Sequence, residues 1–220
     1  MENPETIPGP VHPGPPTKYP CTVLEFFYDV GSPWTYLAFH KIEAIAAEAG
    51  AELVWRPILV GGVFNAVNQG VYAARANASK LRWEHMAKDL ADWARLYALR
   101  ITWPPKVFPV NSVAAMRGVL AAFEQGRGVE FSRAAFEAYW GEDRDLAQAD
   151  VLADVAERAG LEPGPLLARL AEPEIKARLR ANTDELVARG GFGSPTMIVD
   201  GDDLYFGNDR LVLVREALRR

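Results

Sequence analysis

The chain of 220 residues contains a single cysteine, Cys21. One sulfur allows no intramolecular disulfide, no C-x-x-C redox pair and no thiolate metal cluster. The three histidines, His12, His40 and His85, lie far apart, without the H-x3-H or H-E-x-x-H spacing that sets two imidazoles on one helical face. Nothing in the pattern argues for a metal. No run approaches the ~18 uninterrupted apolar residues of a membrane span, so no membrane association is expected. A basic patch is missing too: the net charge is −5 and the arginines are spread along helices, so nucleic acid is not an expected partner. The opening stretch MENPETIPGPVHPGPPTKYP has Pro and Gly where a signal peptide would have an apolar run. It reads as an extended arm over residues 1–20, and a reduced cytoplasmic setting is the default expectation.

What is present is an ordinary globular composition, 49% hydrophobic and 24% charged, with enough chain for a sizeable core. CTVLEFFYDV is short and rich in β-branched and aromatic residues, which predicts a buried strand from Cys21 to Asp29. The chain then turns at Gly31. Ser32 is a good helix cap and Pro33 suits the first helical position, where its missing N–H has no helical partner. Apolar residues at helical spacing continue to Gly50, a C-cap, and Leu53 to Leu59 reads as a second strand, completing β-α-β.

From about Asn65 to Arg189 the signals are helical. SKLRWEHMAKDLADWARLYAL places Leu81, Met86, Leu90, Trp93 and Tyr97 toward one apolar face. ITWPPKVFPV is a proline-broken loop, Asn111 or Ser112 caps the next helix through Phe123, and further helices are predicted over Glu130–Trp140, Asp150–Ala159 and Glu172–Arg189. TMIVD and LYF, joined by GDD, predict a hairpin. A last helix, Asn208 to Leu218, is expected to be capped by Asn208.

The segments FYDVGSPWTYLAF, WRPILVGGVF, FPVNSVAAMR, GGFGSPTMIVDG and FGNDR occur in that order from the first strand onward. With the β-α-β and β-β-α halves, they resemble the DsbA branch of the thioredoxin fold, and more closely the 2-hydroxychromene-2-carboxylate isomerases and kappa-class glutathione transferases. The resemblance implies an α/β, thioredoxin-like fold with an inserted all-helical subdomain: residues 21–64 and 190–220 form the thioredoxin-like part and 65–189 the helical insertion. It departs from the family's usual lysine and Gly-Asn pair at Asn65 and Asn68-Gln69, and from the usual Ser/Asp pair at Asn208-Asp209.

In redox relatives the position of Ser32 holds a reactive cysteine, where a helix N-terminus stabilises the thiolate. Taken alone, Ser32 is a helix cap. The resemblance implies that the nucleophile is brought in as glutathione, with Ser32 as the catalytic residue donating to its sulfur. The implied glutathione-binding residues are Ser32, Pro33, Trp34, Gln69, Ser194, Pro195, Asn208 and Asp209. A cis Ser194–Pro195 bond would turn the Ser194 backbone toward the cysteinyl unit, with Gly190, Gly191 and Gly193 permitting close approach, and Asn208 and Asp209 would hold the γ-glutamyl end. Thr35 is expected merely to pack in the first helical turn.

Trp34, Phe64, Trp83, Trp103 and Trp140 either line a cleft or fill the core. Arg56 and Arg75 either bind a substrate carboxylate or form ordinary pairs. His40 and Cys21 are expected to be inert. The implied activity is glutathione-dependent isomerisation of an unsaturated aromatic pyruvate or related small electrophile, by a homodimer. A kappa-type transferase and a binding module that has lost its redox cysteines remain the alternatives.

Overall fold

The computed structural model describes residues 22–220, so Cys21 and the arm expected over residues 1–20 lie outside the described residues. β1, Val23–Tyr28, is buried along its whole length, as its continuous apolar and aromatic run requires of a central strand. α1, Pro33–Ala49, starts at Ser32, whose hydroxyl accepts the Thr35 N–H at 3.3 Å. It stops at Gly50, where φ of 64° suits a residue without a side chain. β2, Glu52–Pro57, then runs parallel to β1, with Phe27 opposite Arg56.

Two helices follow that the sequence pattern did not indicate, α2 at Val60–Val67 and α3 at Gly70–Ala76. The glycines of VGGVFNAV disfavour a helix intrinsically, but burial of Val63 against Phe27, Ile58, Leu186 and Ile198 overrides that preference. Because α2 begins at Val60, the helical stretch starts earlier than the expected boundary at 64/65. α4 is Lys80–Leu96, α5 Val113–Glu124, α6 Gly128–Phe136 with a π turn over Glu137–Gly141, α7 Ala149–Arg158, α8 Pro163–Arg169 and α9 Pro173–Ala188.

The expected stripe on α4 needs one correction. Leu81 is 77% exposed, whereas Leu90 is buried and Met86, Trp93 and Tyr97 pack beside it. Nine residues separate Leu81 from Leu90, about two and a half turns, so the two point to opposite sides. The cap of α5 comes from Asn111, whose Oδ1 accepts the Val113 N–H at 3.2 Å; the Ser112 hydroxyl is used elsewhere.

β3, Thr196–Val199, pairs antiparallel with both β1 and β4, Asp203–Phe206, giving the sheet order β2-β1-β3-β4. This is the α/β, thioredoxin-like arrangement expected. The final helix differs in detail: Asn208–Arg210 is a 3-10 turn, and α10, Leu211–Ala217, follows it without a side-chain cap from Asn208. Among the described residues no helix is long and apolar enough to cross a membrane.

The alternation of β1 divides the interior. Leu24, Phe26 and Tyr28 point into the larger core, which includes Phe39, Phe136 and Trp140, while Phe27 points to the smaller cluster on the opposite face. Beside Phe27, the buried Glu25 carboxylate pairs with Arg56 at 2.8 Å and also with Arg189, and both guanidiniums lie over the Phe27 ring. Arg56 also reaches Glu185 at 3.4 Å, so of its two expected roles it takes the structural one.

Burial pushes the Glu25 carboxyl pKa up, but hydrogen bonds from Arg189 and Arg56 outweigh this and hold it below the ordinary value of 4.5. A depressed folded-state pKa gives stability that is complete above the unfolded value and is lost as pH falls through the folded one. Glu25→Gln is therefore expected to cost about 1–3 kcal/mol near pH 7, discounted because both arginines reach solvent. Denaturant unfolding of the two proteins from pH 7 down to pH 2 should show this gap closing below about pH 4.5. A gap unchanged with pH would contradict the assignment.

Candidate functional site

The turn after β1 is held by the side chain of Asp29, which is fully buried. Its Oδ1 accepts the Gly31 N–H at 2.8 Å, the short-range bond of an Asx turn, and its Oδ2 accepts the Val60 N–H at 2.8 Å and the Ser112 hydroxyl at 3.0 Å. The backbone of the same residue adds two more ties. Its C=O accepts the Ser32 N–H at 3.2 Å, and its N–H donates to Ser194 Oγ at 3.0 Å. One residue thus joins the start of α1, the start of α2, the approach to α5 and the loop before β3. Burial pushes the Asp29 carboxyl pKa up, opposed by the Gly31 and Val60 N–H groups and by Ser112. Sequence reasoning had passed over Asp29; an Asp two residues before a Gly at a strand end was the available signal.

Ser32 is buried and donates its hydroxyl proton to the Ser194 C=O at 3.0 Å while accepting from Thr35 N–H. The Ser194–Pro195 bond is cis. The Ser194 C=O is therefore already engaged by the protein, a correction to the expectation that it stands ready for a peptide ligand. Its N–H makes no hydrogen bond among the described residues. Thr35 is more than packing: its Oγ1 lies 2.8 Å from Ser194 Oγ, a buried hydroxyl pair tied to the Ser32 hydroxyl through the Thr35 N–H and the Ser194 C=O. In the first turn of α1, Pro33 has no N–H and those of Thr35 and Tyr36 are taken by Ser32. Among the described residues the Trp34 N–H has no partner, and it stands at the positive end of the helix.

A cavity of about 590 Å³ opens beside this turn, lined by Trp34, Ser194, Pro195, Trp93, Asp89 and the segment Phe206–Arg210. Ser32 does not line it directly and meets it through Ser194. Gly207, at φ 103°, takes a conformation open to glycine, and a Cβ there would sit 2.7 Å from Asp209 Oδ1. Gly193 packs under the Phe206 ring, where a Cβ would come within 2.6 Å, so its small size serves the protein's own packing. Asn208 is 2% exposed, and both Oδ1 and Nδ2 are buried without a hydrogen-bond partner among the described residues. The Tyr97 hydroxyl faces it without meeting hydrogen-bond geometry. Asp209 is exposed and paired with Arg210.

The remaining expected residues divide. Pro33, Trp34, Ser194, Pro195, Asn208 and Asp209 gather around the turn and the cavity, but Gln69 does not. It is exposed, and its Nε2 donates back to the Asn65 C=O at 2.9 Å because the break between α2 and α3 at Asn68 places it over the preceding turn. Its neighbour Asn68 reaches the loop before β3 instead, donating to the Phe192 C=O at 3.1 Å. Trp34 and Phe64 face cavities, whereas Trp83 and Trp103 pack with tilted rings 5.2 Å apart and Trp140 is fully buried with its indole N–H on the Val30 C=O. His40 is packed edge-on against Tyr36 and Phe39; burial, then Arg133 and Lys41, push its pKa down to about 4.

A family model described as a DSBA-like thioredoxin domain matches residues 23–219. The chain is 30% identical to the 2-hydroxychromene-2-carboxylate isomerase of Sphingobium xenophagum, with 89% of this chain and 97% of that protein covered. It is 28% identical to glutathione S-transferase kappa 1 of Rattus norvegicus, covering 89% of this chain and 90% of that one. A solved structure of a 2-hydroxychromene-2-carboxylate isomerase is similar with a TM-score of 0.76 at 25% identity, over 89% of this chain and 94% of the other.

The ties made by Asp29 give a graded expectation. Asp29→Ala strands the Gly31 and Val60 N–H groups and the Ser112 hydroxyl, and should destabilise by about 2–4 kcal/mol; Ser112→Ala removes one donor and should cost about 1 kcal/mol. Equal losses in urea unfolding would show that Asp29 does not organise the turn.

Proposed function

The chain belongs to the DsbA-like thioredoxin family, and we propose that within it this protein is a glutathione-dependent enzyme of the 2-hydroxychromene-2-carboxylate isomerase type. Its relatives are isomerases of that name and kappa-class glutathione transferases. The observation that carries the reading is Asn208: a buried side-chain amide with both polar atoms unpartnered, at the rim of the cavity that also holds Ser194, Pro195 and Trp34. An amide in that state is costly unless a ligand satisfies it, because buried polar groups are normally paired. The γ-glutamyl end of glutathione has the carboxylate and ammonium groups to do so.

Held at Asn208 and along Ser194, the tripeptide places its sulfur toward the start of α1. Bound glutathione supplies a sulfur nucleophile for reversible addition to an unsaturated carbon of a second substrate. The chain's part is electrostatic. The Trp34 N–H and the helix terminus favour negative charge there, and the Ser32 hydroxyl leaves the Ser194 C=O to donate to that charge. The released C=O, together with the free Ser194 N–H, is then able to pair strand-like with the peptide. With one cysteine in the sequence, no C-x-x-C is available, so dithiol redox chemistry within this chain is not part of the proposal.

Substitution of Ser32 by Ala should lower turnover on the order of 10²-fold at neutral pH, against about 1 kcal/mol in stability from the lost cap. The pH profile separates the two effects. A hydroxyl donor holds the bound thiol below its ordinary value of about 8.5, so the variant's thiol should titrate at higher pH and its activity should recover as pH rises. An unchanged rate, or a loss independent of pH, would contradict the role.

The kappa-type transferase is the second reading, favoured by the comparable identity to the rat enzyme. Turnover of 2-hydroxychromene-2-carboxylate with glutathione regenerated is the result expected of the isomerase. Stoichiometric consumption of glutathione with an aryl halide, and no isomerisation, would favour the transferase.

A further inference from the structure

Gly31 also lines a second cavity, of about 450 Å³, within the range of small-molecule sites. Gly31, Val60 and Ser112, the residues that Asp29 ties together, form part of its lining. Leu59, Phe64, Tyr72, Pro109 and Val110 make much of the rest apolar. Arg75 is the one charged residue lining it among the described residues.

Arg75 differs from most arginines of this chain. Arg56, Arg144, Arg158, Arg169 and Arg189 all sit in ion pairs, whereas Arg75 has none among the described residues. Its guanidinium lies 5.4 Å from the Phe64 ring centroid and 5.8 Å from that of Phe108, so aromatic faces position it. Beside it, the Tyr72 hydroxyl donates to Asn65 Oδ1 at 2.9 Å, which leaves the Asn65 Nδ2 group as a further donor. A largely apolar space with one unpaired, planar cation and an amide donor among its lining residues fits a largely apolar carboxylic acid.

We propose that this second cavity receives the electrophilic substrate, that its occupant is a largely apolar carboxylic acid, and that Arg75 is the carboxylate anchor that selects acids over neutral electrophiles. The two ligands then meet at one turn, the thiol at the start of α1 and the acid beside Gly31 and Ser112. The name "electrophilic substrate" rests on the thiol reading above; binding of an acid at Arg75 does not, and the test keeps them apart.

Isothermal calorimetry on the full chain, with trans-cinnamate, trans-cinnamamide and glutathione titrated separately, measures each directly. Cinnamate should bind at least about fivefold more tightly than cinnamamide, and Arg75→Met should weaken cinnamate about five- to tenfold while leaving cinnamamide and glutathione unchanged. Arg75→Lys should restore part of the cinnamate affinity, because it keeps the charge without the planar fork. Arg75 is exposed, so both variants should fold as the native chain does. Equal binding of acid and amide, no binding of cinnamate, or cinnamate affinity unchanged in Arg75→Met would each overturn the site. If cinnamate depends on Arg75 while glutathione does not bind at millimolar concentration, the acid site stands and the thiol reading falls.

Discussion

The buried carboxylate of Asp29 is the constraint on which the rest of the site depends. A strand, three helix approaches and the loop before β3 meet at the end of β1, each bringing polar groups to one buried residue. Asp29 accepts from Gly31, Val60 and Ser112 and donates through its backbone to Ser194. Burying a carboxylate costs several kcal/mol unless its lone pairs are used. Here one group satisfies donors from three segments distant in sequence, so the turn, the loop and the two cavities are set relative to each other by a common acceptor.

The chemistry that this frame allows follows from what the turn lacks. A thioredoxin-like helix start presents unpaired N–H groups and a positive dipole end to whatever anion occupies it. In a dithiol protein the anion belongs to the chain. Ser32, Thr35 and Ser194 put hydroxyls there instead, linked to one another and to the backbone. A serine or threonine hydroxyl does not become a nucleophile without a base, and His40, the histidine on α1, packs edge-on against Tyr36 and Phe39. Hydroxyls do donate hydrogen bonds, which makes the turn suited to receiving a charged sulfur.

How much of this was legible in the sequence depends on the length scale of the signal. β1, α1 with its Ser32–Pro33 start and Gly50 stop, and the β3–β4 hairpin follow from local chemistry: β-branched and aromatic runs, a cap, and an Asp-Gly turn. The parts that escaped depend on distant partners. α2 forms despite two glycines because Val63 finds the cluster around Phe27. Leu81 looked like part of the α4 stripe until the helical phase was set by Leu90 and Ala94. Around the site, Ser32, Ser194 and Asn208 stand in recognisable motifs, and the fold brings them to one region. Gln69 was placed by analogy of spacing, and the break at Asn68 moves it away. Asp29 and Thr35 lie inside the FYDVGSPWTYLAF segment, but what they do rests on contacts 165 and 159 residues away in the chain, which no local pattern shows.

The central claim is that the start of α1 receives a thiol from outside the chain, and a crystal structure of the protein with glutathione tests it most directly. The account predicts the sulfur within hydrogen-bond reach of Ser32 Oγ, about 3.2–3.5 Å for a sulfur acceptor, with the hydroxyl turned from the Ser194 C=O and the γ-glutamyl carboxylate at Asn208. Glutathione bound elsewhere, with Ser32 still donating to Ser194 and the Asn208 amide still unpartnered, would contradict it.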